Sequence, residues 1–370
     1  MLKSFNDEFA EIKSEIRYSK ASEKFNDIRS SLGDRPLVLY GAGKMGKAVI
    51  GFCREHGIAI DSICDRATKG MSEGIGVINP DALRDSRPDA VIIVCSQVFN
   101  AEICDSLRDL GFASAQIIPF PFEYPYINTL SDFKPHLPGY EWAYDFYEDE
   151  RSKRLVLDKI RLILCDKGIE RNTDCDLYFE DGFSELGENE VFVDGGAYIG
   201  DTAEDFLSRF EYSRDKCRVY SFEPDKVNYE KAAKRLTGFP NVTLVLKGLW
   251  SEETLLLFNA SIGGGSSFVC GSSKDVHHVQ VTSLDHFFRD MPVSEWPTLI
   301  KMDIEGAENE ALLGSADIIR RRKPKLAICA YHLTQDVYKL PQTIAGIRSD
   351  YRFALRQHQT GCEDTVLYAV

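Results

Sequence analysis

The sequence predicts an α/β protein with two doubly wound domains in tandem, and three observations support this. Short apolar runs alternate with helical stretches from Pro36 to Pro119 and again from Val191 to Ala369. A segment rich in Pro, Phe and Tyr, residues 119–140, interrupts that alternation. The length of 370 residues suits about two domains. Strands that alternate with helices indicate parallel sheets covered by helices.

The predicted elements follow in order along the chain. Residues 1–33 have the apolar spacing of an N-terminal helical segment, and residues 34–120 form a Rossmann-like domain. Residues 121–168 are a linker and helices, with one long helix from Glu141 to Lys167. The predicted strands of the first domain are 36–40, 59–64, 90–95 and 116–119. The second domain, residues 169–370, has predicted strands at 191–193, 218–222, 242–246, 299–302, 325–330, 352–356 and 365–369.

Composition narrows the function classes. The net charge of −14 repels phosphate backbones, so no nucleic-acid partner is predicted. Ten cysteines without a C-x-x-C pair are typical of buried thiols in a reducing compartment. No apolar stretch approaches the ~20 residues of a membrane helix, and no signal peptide is apparent. We therefore expect a cytoplasmic protein without a membrane span.

The strongest candidate site begins in the segment Val191-Phe-Val-Asp-Gly-Gly-Ala-Tyr-Ile-Gly-Asp-Thr202, a strand followed by a glycine turn and a helix start. Glycines let a backbone approach a ligand, and open α/β sheets bind ligands at such strand ends. Asp194 could order the loop or bind an amino group of the ligand. Glu223 closes the next strand and can accept hydrogen bonds from both ribose hydroxyls. Because the G-x-G-x-x-G spacing is missing here, a methionine-bearing nucleoside is favoured over a dinucleotide.

A third element is the segment Leu299-Ile-Lys-Met-Asp-Ile-Glu-Gly-Ala-Glu308. Lys301, Asp303 and Glu305 alternate, so they would share one face while the strand persists. Burying such charges without a ligand would be costly. The alternative is that these charges form an ion-pair network that caps the next helix. This interpretation stays open above all for Lys301 and Glu308.

These motifs, together with Ser221-Phe-Glu-Pro-Asp225 and Thr282-Ser-Leu-Asp-His286, resemble the FkbM family of methyltransferases over about residues 176–370. The resemblance implies a seven-stranded class I methyltransferase fold and S-adenosylmethionine as methyl donor. It also implies O-methylation of a hydroxyl on a sugar, glycan or small natural product. One departure is Gly195-Gly196, where family members often have Val-Gly or Ile-Gly.

The resemblance also implies site residues. Asp225 and the start of Lys247–Ser251 would lie near the adenine, and Asp303 near the methionine portion or the acceptor. The implied cofactor-binding residues are Asp194, Gly195, Gly196, Ala197, Tyr198, Gly200, Asp201, Thr202, Glu223, Pro224, Asp225, Ser251 and Asp303.

Catalytic candidates lie at the same sheet edge. They are His332, Asp303, Glu305 and Lys301, and any of the first three could be the general base. Asp303 and Glu305 could ligate a cation, but no third ligand is evident, so no metal site is predicted. The stretch Ser261–Ser267 could order over the substrates or be an ordinary surface turn.

The first domain carries its own nucleotide motif, Gly41-Ala-Gly43-Lys-Met-Gly46, with Asp65 closing the next strand. It resembles the short Rossmann-like modules of sugar-modifying bacterial enzymes. It could bind a nucleotide or nucleotide-sugar, or it could be a docking module whose glycines serve packing. Residues 1–33 could extend a homodimer interface or simply cap the domain.

Two other function classes stay open. The chain could be an NAD-dependent oxidoreductase that uses Gly41–Gly46, although no catalytic Tyr-x-x-x-Lys motif follows the fourth strand. It could also be a non-catalytic adaptor that only senses adenosine ligands. Calorimetry with S-adenosylmethionine and with NAD would separate these possibilities.

Overall fold

A computed structural model describes residues 3–16, 19–210, 216–259, 267–268 and 276–370. The chain divides into two compact units. The first consists of residues 1–138 and 157–169, and the second of residues 139–156 and 170–370. The predicted linker region, residues 121–168, is therefore divided between both units. No helix in the described ranges has the length and apolarity needed to cross a membrane.

The first unit contains a six-stranded sheet in the order β3-β4-β2-β1-β5-β6. Its helices are α1 (Phe5–Ile16), α2 (Lys20–Leu32), α3 (Lys44–Glu55), α4 (Pro80–Ser86), α5 (Asn100–Asp109) and α6 (Leu130–Phe133). Its strands are β1 (Leu37–Tyr40), β2 (Ser62–Cys64), β3 (Gly70–Ser72), β4 (Ile75–Ile78), β5 (Val91–Val94) and β6 (Ile117–Ile118). The four predicted strands are present with slightly different bounds. The antiparallel pair β3 and β4 was not predicted, because β3 is largely exposed and Gly76 interrupts the short apolar run of β4.

The predicted single helix from Glu141 to Lys167 is wrong. The structure has two helices there, α7 (Leu137–Phe146) and α8 (Glu150–Cys165). Asp149 ends the continuity, because its carboxylate accepts hydrogen bonds from the backbone N–H and the hydroxyl of Ser152, at 3.0 and 2.5 Å. A carboxylate in that position caps the start of a helix.

The second unit contains the predicted seven-stranded sheet, in the order β16-β17-β15-β14-β7-β8-β9. Its strands are β7 (Val191–Gly195), β8 (Arg218–Phe222), β9 (Val242–Val245), β14 (Leu299–Met302), β15 (Lys325–Cys329), β16 (Phe353–Gln357) and β17 (Thr365–Ala369). All are parallel to their neighbours except β17, which is antiparallel to both β15 and β16. Apart from β9 at the edge, which is half-buried, their apolar runs are buried on both faces, which is typical of parallel sheets.

Further elements surround this sheet. The helices are α9 (Asp201–Ser208), α10 (Lys226–Arg235), α11 (Leu284–Phe288), α12 (Glu308–Leu313), α13 (Ala316–Arg322) and α14 (Asp336–Ile347). A second sheet, in the order β10-β13-β11-β12, consists of β10 (Gly248–Leu249), β11 (Thr254–Asn259), β12 (Ser267–Phe268) and β13 (Val276–Thr282). The loop predicted at Ser261–Ser267 lies, apart from its last residue, outside the described residues.

Candidate active site

The strand order places the predicted motifs side by side. Strands β15, β14, β7 and β8 are consecutive and parallel, so their carboxyl ends meet at one edge of the sheet. Gly196, Glu223, Asp303 and His332 follow the ends of these four strands. Ligands of open α/β sheets bind at such an edge.

The glycine turn after β7 approaches the end of β14 closely. Gly196 has a φ of +76°, and a Cβ there would lie 1.9 Å from the carbonyl oxygen of Asp303. The N–H groups of Gly196 and Ala197 both donate to the carbonyl of Phe222, at 3.0 Å. Only glycine fits this position, and its small size keeps the turn tight against the neighbouring strand.

Glu223 fixes the outer part of the same turn. Its carboxylate accepts hydrogen bonds from the backbone N–H of Tyr198 at 2.8 Å and of Asp225 at 2.9 Å. Burial raises the pKa of Glu223 to about 7, against the lowering effect of these two N–H groups. Because each carboxylate oxygen has a second lone pair, Glu223 can also accept hydrogen bonds from a ligand.

Lys301 links β14 to the glycine turn. Its buried ammonium donates to Asp194 Oδ1 at 2.9 Å and to the carbonyls of Gly195 and Gly196 at 3.1 and 2.8 Å. Burial alone would lower the pKa of Lys301, but Asp194 and Asp303 raise it, so the lysine stays charged. Asp194 therefore contacts the glycine loop through the Lys301 ammonium, which is compatible with the first of its two predicted roles.

Lys301, Asp303 and Glu305 were expected to share one face only while the strand persists, and the strand ends before Asp303. Strand β14 ends at Met302, and Glu305 adopts a left-handed conformation with φ of +58°. The turn therefore directs Asp303 and Glu305 independently of the strand alternation. Asp303 and Glu305 line the cavity described below, as does part of Lys301.

Two tyrosines hold Asp303. The hydroxyls of Tyr178 and Tyr331 donate to its two carboxylate oxygens, at 2.9 and 3.1 Å. Burial would raise the pKa of Asp303, but Lys301, His332 and these hydroxyls lower it below its usual value. Asp303 is thus an ionised, oriented hydrogen-bond acceptor at neutral pH.

His332 lies among three carboxylates. Its Nε2 is 3.3 Å from Asp303 Oδ1 and 3.6 Å from Glu305 Oε2, and its Nδ1 is 2.9 Å from Glu308 Oε1. Burial would lower the pKa of His332, but these carboxylates raise it to about 9. Burial raises the pKa of Glu305 to about 7.

One cavity of about 610 Å³ joins these groups, a size typical of small-molecule sites. The predicted residues that line it are Gly196, Tyr198, Asp201, Thr202, Glu223, Pro224, Asp225, Lys301, Asp303 and Glu305. The predicted residues that do not line it are Asp194, Gly195, Ala197, Gly200, Ser251 and His332. Of these, Asp194, Gly195 and His332 contact residues that do.

The sequence reasoning missed several residues of this site. Tyr178 and Tyr331 were not predicted, nor was Asp364, which also lines the cavity. Tyr331 could have been predicted from its position next to His332 at the end of β15. Nothing in the spacing pointed to Tyr178, which precedes the first motif of the site.

The glycine motif of the first unit is arranged differently. Gly41 has a φ of +120°, and a Cβ on Gly46 would lie 2.2 Å from the carbonyl oxygen of Gly41. Asp65 accepts hydrogen bonds from the backbone N–H groups of Ala42, Ala67 and Thr68, each at 2.8 Å. Nearby is a cavity of about 480 Å³ that Gly41 and Asp65 line but Gly43 and Gly46 do not.

The second unit has the strand order of a Rossmann-like methyltransferase, and its cavity suits a nucleoside that carries an amino acid. Gly196 adds no side chain to the cavity, Glu223 offers carboxylate oxygens, and Asp303 lines the same cavity. Residues 194–352 match the family model of the Methyltransferase FkbM domain. This match identifies an FkbM methyltransferase domain in the second unit and supports S-adenosylmethionine as its cofactor.

Several solved structures are similar to this chain, and one of them has a TM-score above 0.5. The crystal structure of Methyltransferase FkbM from Methylobacillus flagellatus KT is 22% identical, covers 98% of this chain and 99% of its own, and has a TM-score of 0.58. Aeropyrum pernix fibrillarin, in complex with natively bound S-adenosyl-L-methionine, is 13% identical over 51% of this chain and 70% of its own, with a TM-score of 0.33. A Streptococcus thermophilus rRNA methylase is 16% identical over 50% and 87%, with a TM-score of 0.31. No curated protein sequence matches the chain.

Proposed function

We propose that this methyltransferase transfers the methyl group of S-adenosylmethionine to a hydroxyl oxygen of a sugar, glycan or small natural product. The observation that carries the proposal is the single cavity that connects Glu223 with Asp303 and Glu305. One end has the groups that hold a nucleoside. The other end has hydrogen-bond acceptors for a hydroxyl.

The cofactor end is formed by groups that are already in place. The backbone N–H groups of Tyr198 and Asp225 hold the carboxylate of Glu223 in place. This carboxylate would accept hydrogen bonds from the two ribose hydroxyls. Tyr198 and Leu249 also line the cavity and would contact the base. S-adenosylmethionine, when bound, supplies a methyl group that is already electrophilic.

The acceptor end orients the hydroxyl and takes its proton. Asp303, held by Tyr178 and Tyr331, accepts a hydrogen bond from the acceptor molecule. Among the described residues, Glu305 contacts His332 but receives no hydrogen bond, so its carboxylate is available for the hydroxyl proton. A C–O bond forms as the C–S bond breaks, the electron pair stays on sulfur, and the proton passes to Glu305. Such alignment can lower a barrier by about 7–11 kcal/mol.

A transfer assay tests this proposal. The full chain is incubated with methyl-labelled S-adenosylmethionine and with matched acceptors, monosaccharides and the corresponding amino sugars. We expect label in an ether product that resists base hydrolysis, and we expect calorimetry to show one S-adenosylmethionine per chain. Label only in the amino group of the amino sugars would contradict O-methylation, while the class of methyltransferase would stand.

We also propose that the first unit binds a nucleotide or nucleotide-sugar. The supporting observation is its cavity, which lies at the carboxyl ends of β1, β2 and β5 and is lined by Tyr40, Gly41, Asp65 and Ser96. In this sheet the strand order reverses between β1 and β5, and such points bind nucleotides in doubly wound folds. Arg66, also in the lining, offers a positive charge for a phosphate.

Calorimetry with NAD, UDP-glucose and AMP tests this second site. Binding that is weakened by Arg66→Gln, with S-adenosylmethionine affinity unchanged, would support it. If none of the three ligands binds, the glycine turn serves packing alone. Reduction of NAD by candidate alcohols would instead support the oxidoreductase alternative.

We propose a reducing, cytoplasmic setting for the reaction. Seven of the described cysteines are buried thiols without a disulfide, and burial raises the pKa of Cys53 and Cys64 to about 12. Such thiols stay protonated and unreactive. Titration of thiols in the denatured protein, taken from cells under alkylating quench, should find them reduced.

A further inference from the structure

We propose that Asp303, Glu308 and His332 bind a divalent metal ion at the acceptor end of the cavity. The metal site is inferred from the distances, burial and charges of these residues and does not depend on the proposed function. Only the role given to the ion, activation of the acceptor hydroxyl, rests on the proposed function.

The spacing of the three side chains fits one ion. One ligand atom from each lies within 4.8 Å of the others. His332 approaches the two carboxylates with different nitrogens, Nε2 toward Asp303 Oδ1 at 3.3 Å and Nδ1 toward Glu308 Oε1 at 2.9 Å, and only one of these nitrogens can bind the ion. Bonds of about 2.1 Å to one ion place its ligand atoms at most about 4.2 Å apart. Small side-chain rotations therefore close the set.

Unsatisfied polar atoms point to the same place. Glu308 is 1% exposed, and its Oε2 is buried without a hydrogen-bond partner in the described structure. The His332 side chain is 8% exposed, and its two ring nitrogens approach carboxylates without forming a well-directed hydrogen bond to any described residue. A buried polar atom left unpaired costs about 1–3 kcal/mol, which coordination to an ion would remove.

The charges also favour a cation. Asp303, Glu305 and Glu308 surround one imidazole. Lys301 also acts electrostatically on Asp303, but its ammonium already donates to Asp194 and to two backbone carbonyls. The cluster therefore has more negative than positive charge in a place with little water, and a divalent ion would balance it.

The fold fixes two of the three ligands firmly. Glu308 begins α12, and its Oε1 accepts a hydrogen bond from the N–H of Ile304 at 2.9 Å. His332 follows β15, the strand paired with β14. Asp303 lines the cavity, whereas Glu308 and His332 do not line it but contact residues that do. An ion bound to Asp303 could therefore be reached from the cavity.

The ligand types select the ion and suggest its role. Two carboxylates and one imidazole suit Mn²⁺, Fe²⁺ or Zn²⁺ better than Ca²⁺, which prefers an all-oxygen set. An ion in this place would bind the acceptor's hydroxyl oxygen and make its proton more acidic. The proton then passes to Glu305, and the oxygen attacks the methyl group. Acceptors with two adjacent hydroxyls, such as sugars, could occupy two open positions.

The experiment uses Mn²⁺ as the probe and the full chain freed of metal by EDTA. Mn²⁺ is titrated by calorimetry, and free Mn²⁺ is followed by electron paramagnetic resonance. We compare the wild type with Glu308→Gln, His332→Gln and the control Glu310→Gln, which changes another carboxylate of α12. The glutamine at 308 keeps an oxygen for the N–H of Ile304. Thermal unfolding and S-adenosylmethionine titration of each variant establish that it is folded.

We expect one Mn²⁺ per wild-type chain, unchanged binding in Glu310→Gln, and an affinity lower by about tenfold or more in the two cluster variants. No Mn²⁺ binding by the wild type, or equal binding by all folded variants, overturns the metal site. Wild-type protein that binds S-adenosylmethionine and methylates a hydroxyl but binds no Mn²⁺ overturns the metal site and leaves the proposed function standing. Protein that binds Mn²⁺ at the cluster but methylates only amines overturns O-methylation and leaves the metal site standing.

Discussion

The two units each have a glycine turn after the first strand of a sheet and an acidic residue after the second. In the first unit, Asp65 accepts three backbone N–H groups, and these lower its pKa against the effect of burial. In the second unit, Glu223 accepts two, and burial raises its pKa to about 7. Asp65 mainly holds its own loops together, whereas Glu223 retains more capacity for a ligand.

The neighbouring strands differ more than the turns do. After β14 and β15 the second unit has Asp303, Glu305, Glu308 and His332 in contact with one another. After β5 the first unit has Ser96 and Phe99, and its cavity contains no comparable acid–histidine cluster among the lining residues. A glycine turn thus provides a place for a nucleoside, and adjacent strand ends decide whether chemistry follows.

The largest effect is expected from Gly196→Ala, with Gly43→Ala in the other turn as its control. A Cβ on Gly196 would overlap the Asp303 carbonyl, and the residue has a positive φ, whereas a Cβ on Gly43 meets nothing within 4 Å. We expect Gly196→Ala to lower the free energy of unfolding by about 3 kcal/mol or more and to abolish S-adenosylmethionine binding. Gly43→Ala should change the stability by less than about 1 kcal/mol. Denaturant unfolding and calorimetry measure both, and equal effects would remove the distinction between the turns.

Asp303→Asn tests whether the residues that follow β14 take part in methyl transfer. The asparagine amide cannot accept hydrogen bonds from both Tyr178 and Tyr331. The molecule to be methylated therefore loses its hydrogen-bond partner. We expect kcat to fall by about 10²-fold or more, with the Kd of S-adenosylmethionine nearly unchanged. The exposed Asp290, changed to Asn, is the control. A fall in cofactor affinity with unchanged kcat would assign Asp303 to the cofactor end.

Glu223→Gln and Asp65→Asn compare the two acidic residues directly. Each amide places an NH₂ group where a backbone N–H donor now points. We expect Glu223→Gln to weaken S-adenosylmethionine binding by about tenfold to a hundredfold, since hydrogen bonds to charged groups contribute about 1.5–3 kcal/mol. Asp65→Asn should leave that affinity unchanged and lower only the stability of the first unit. If both variants bind the cofactor like the wild type, Glu223 does not hold the ribose.

The smallest effect concerns pH. Because the pKa of Glu223 is raised to about 7, the carboxylate is protonated below that pH and loses acceptor capacity. S-adenosylmethionine affinity should therefore rise between pH 6 and pH 8, by about tenfold for a single group of this pKa. The rise should vanish in Glu223→Gln, and its persistence there would assign it to another group. Calorimetry across this pH range provides the measurement.

The strands of the main sheet could be predicted because they are buried on both faces and read as continuous apolar runs, as in Lys325–Cys329. The β3–β4 pair could not, since β3 is short and largely exposed and the apolar run of β4 is interrupted by Gly76. The break between α7 and α8 was missed because its signal is one aspartate cap rather than a proline or glycine.

The site was predictable where it depends on strand ends, as for Glu223 and Asp303. The contact between Glu308 and His332 was not, because it depends on the turn through Glu305 and on the pairing of β14 with β15. The sequence also left the role of Lys301 open. Only the three-dimensional arrangement shows its ammonium among Asp194 and two carbonyls.

The position of β17 has a consequence for synthesis of the protein. This strand, Thr365–Ala369, comes after all the others in the sheet, yet it lies between β15 and β16. While the ribosome is still making residues up to 365, β15 has no partner on that side and presents an unpaired row of backbone groups. Such an edge pairs readily with other chains. The growing chain is therefore most exposed to aggregation just before its sheet can close, and a nascent-chain chaperone would have its greatest effect at that stage.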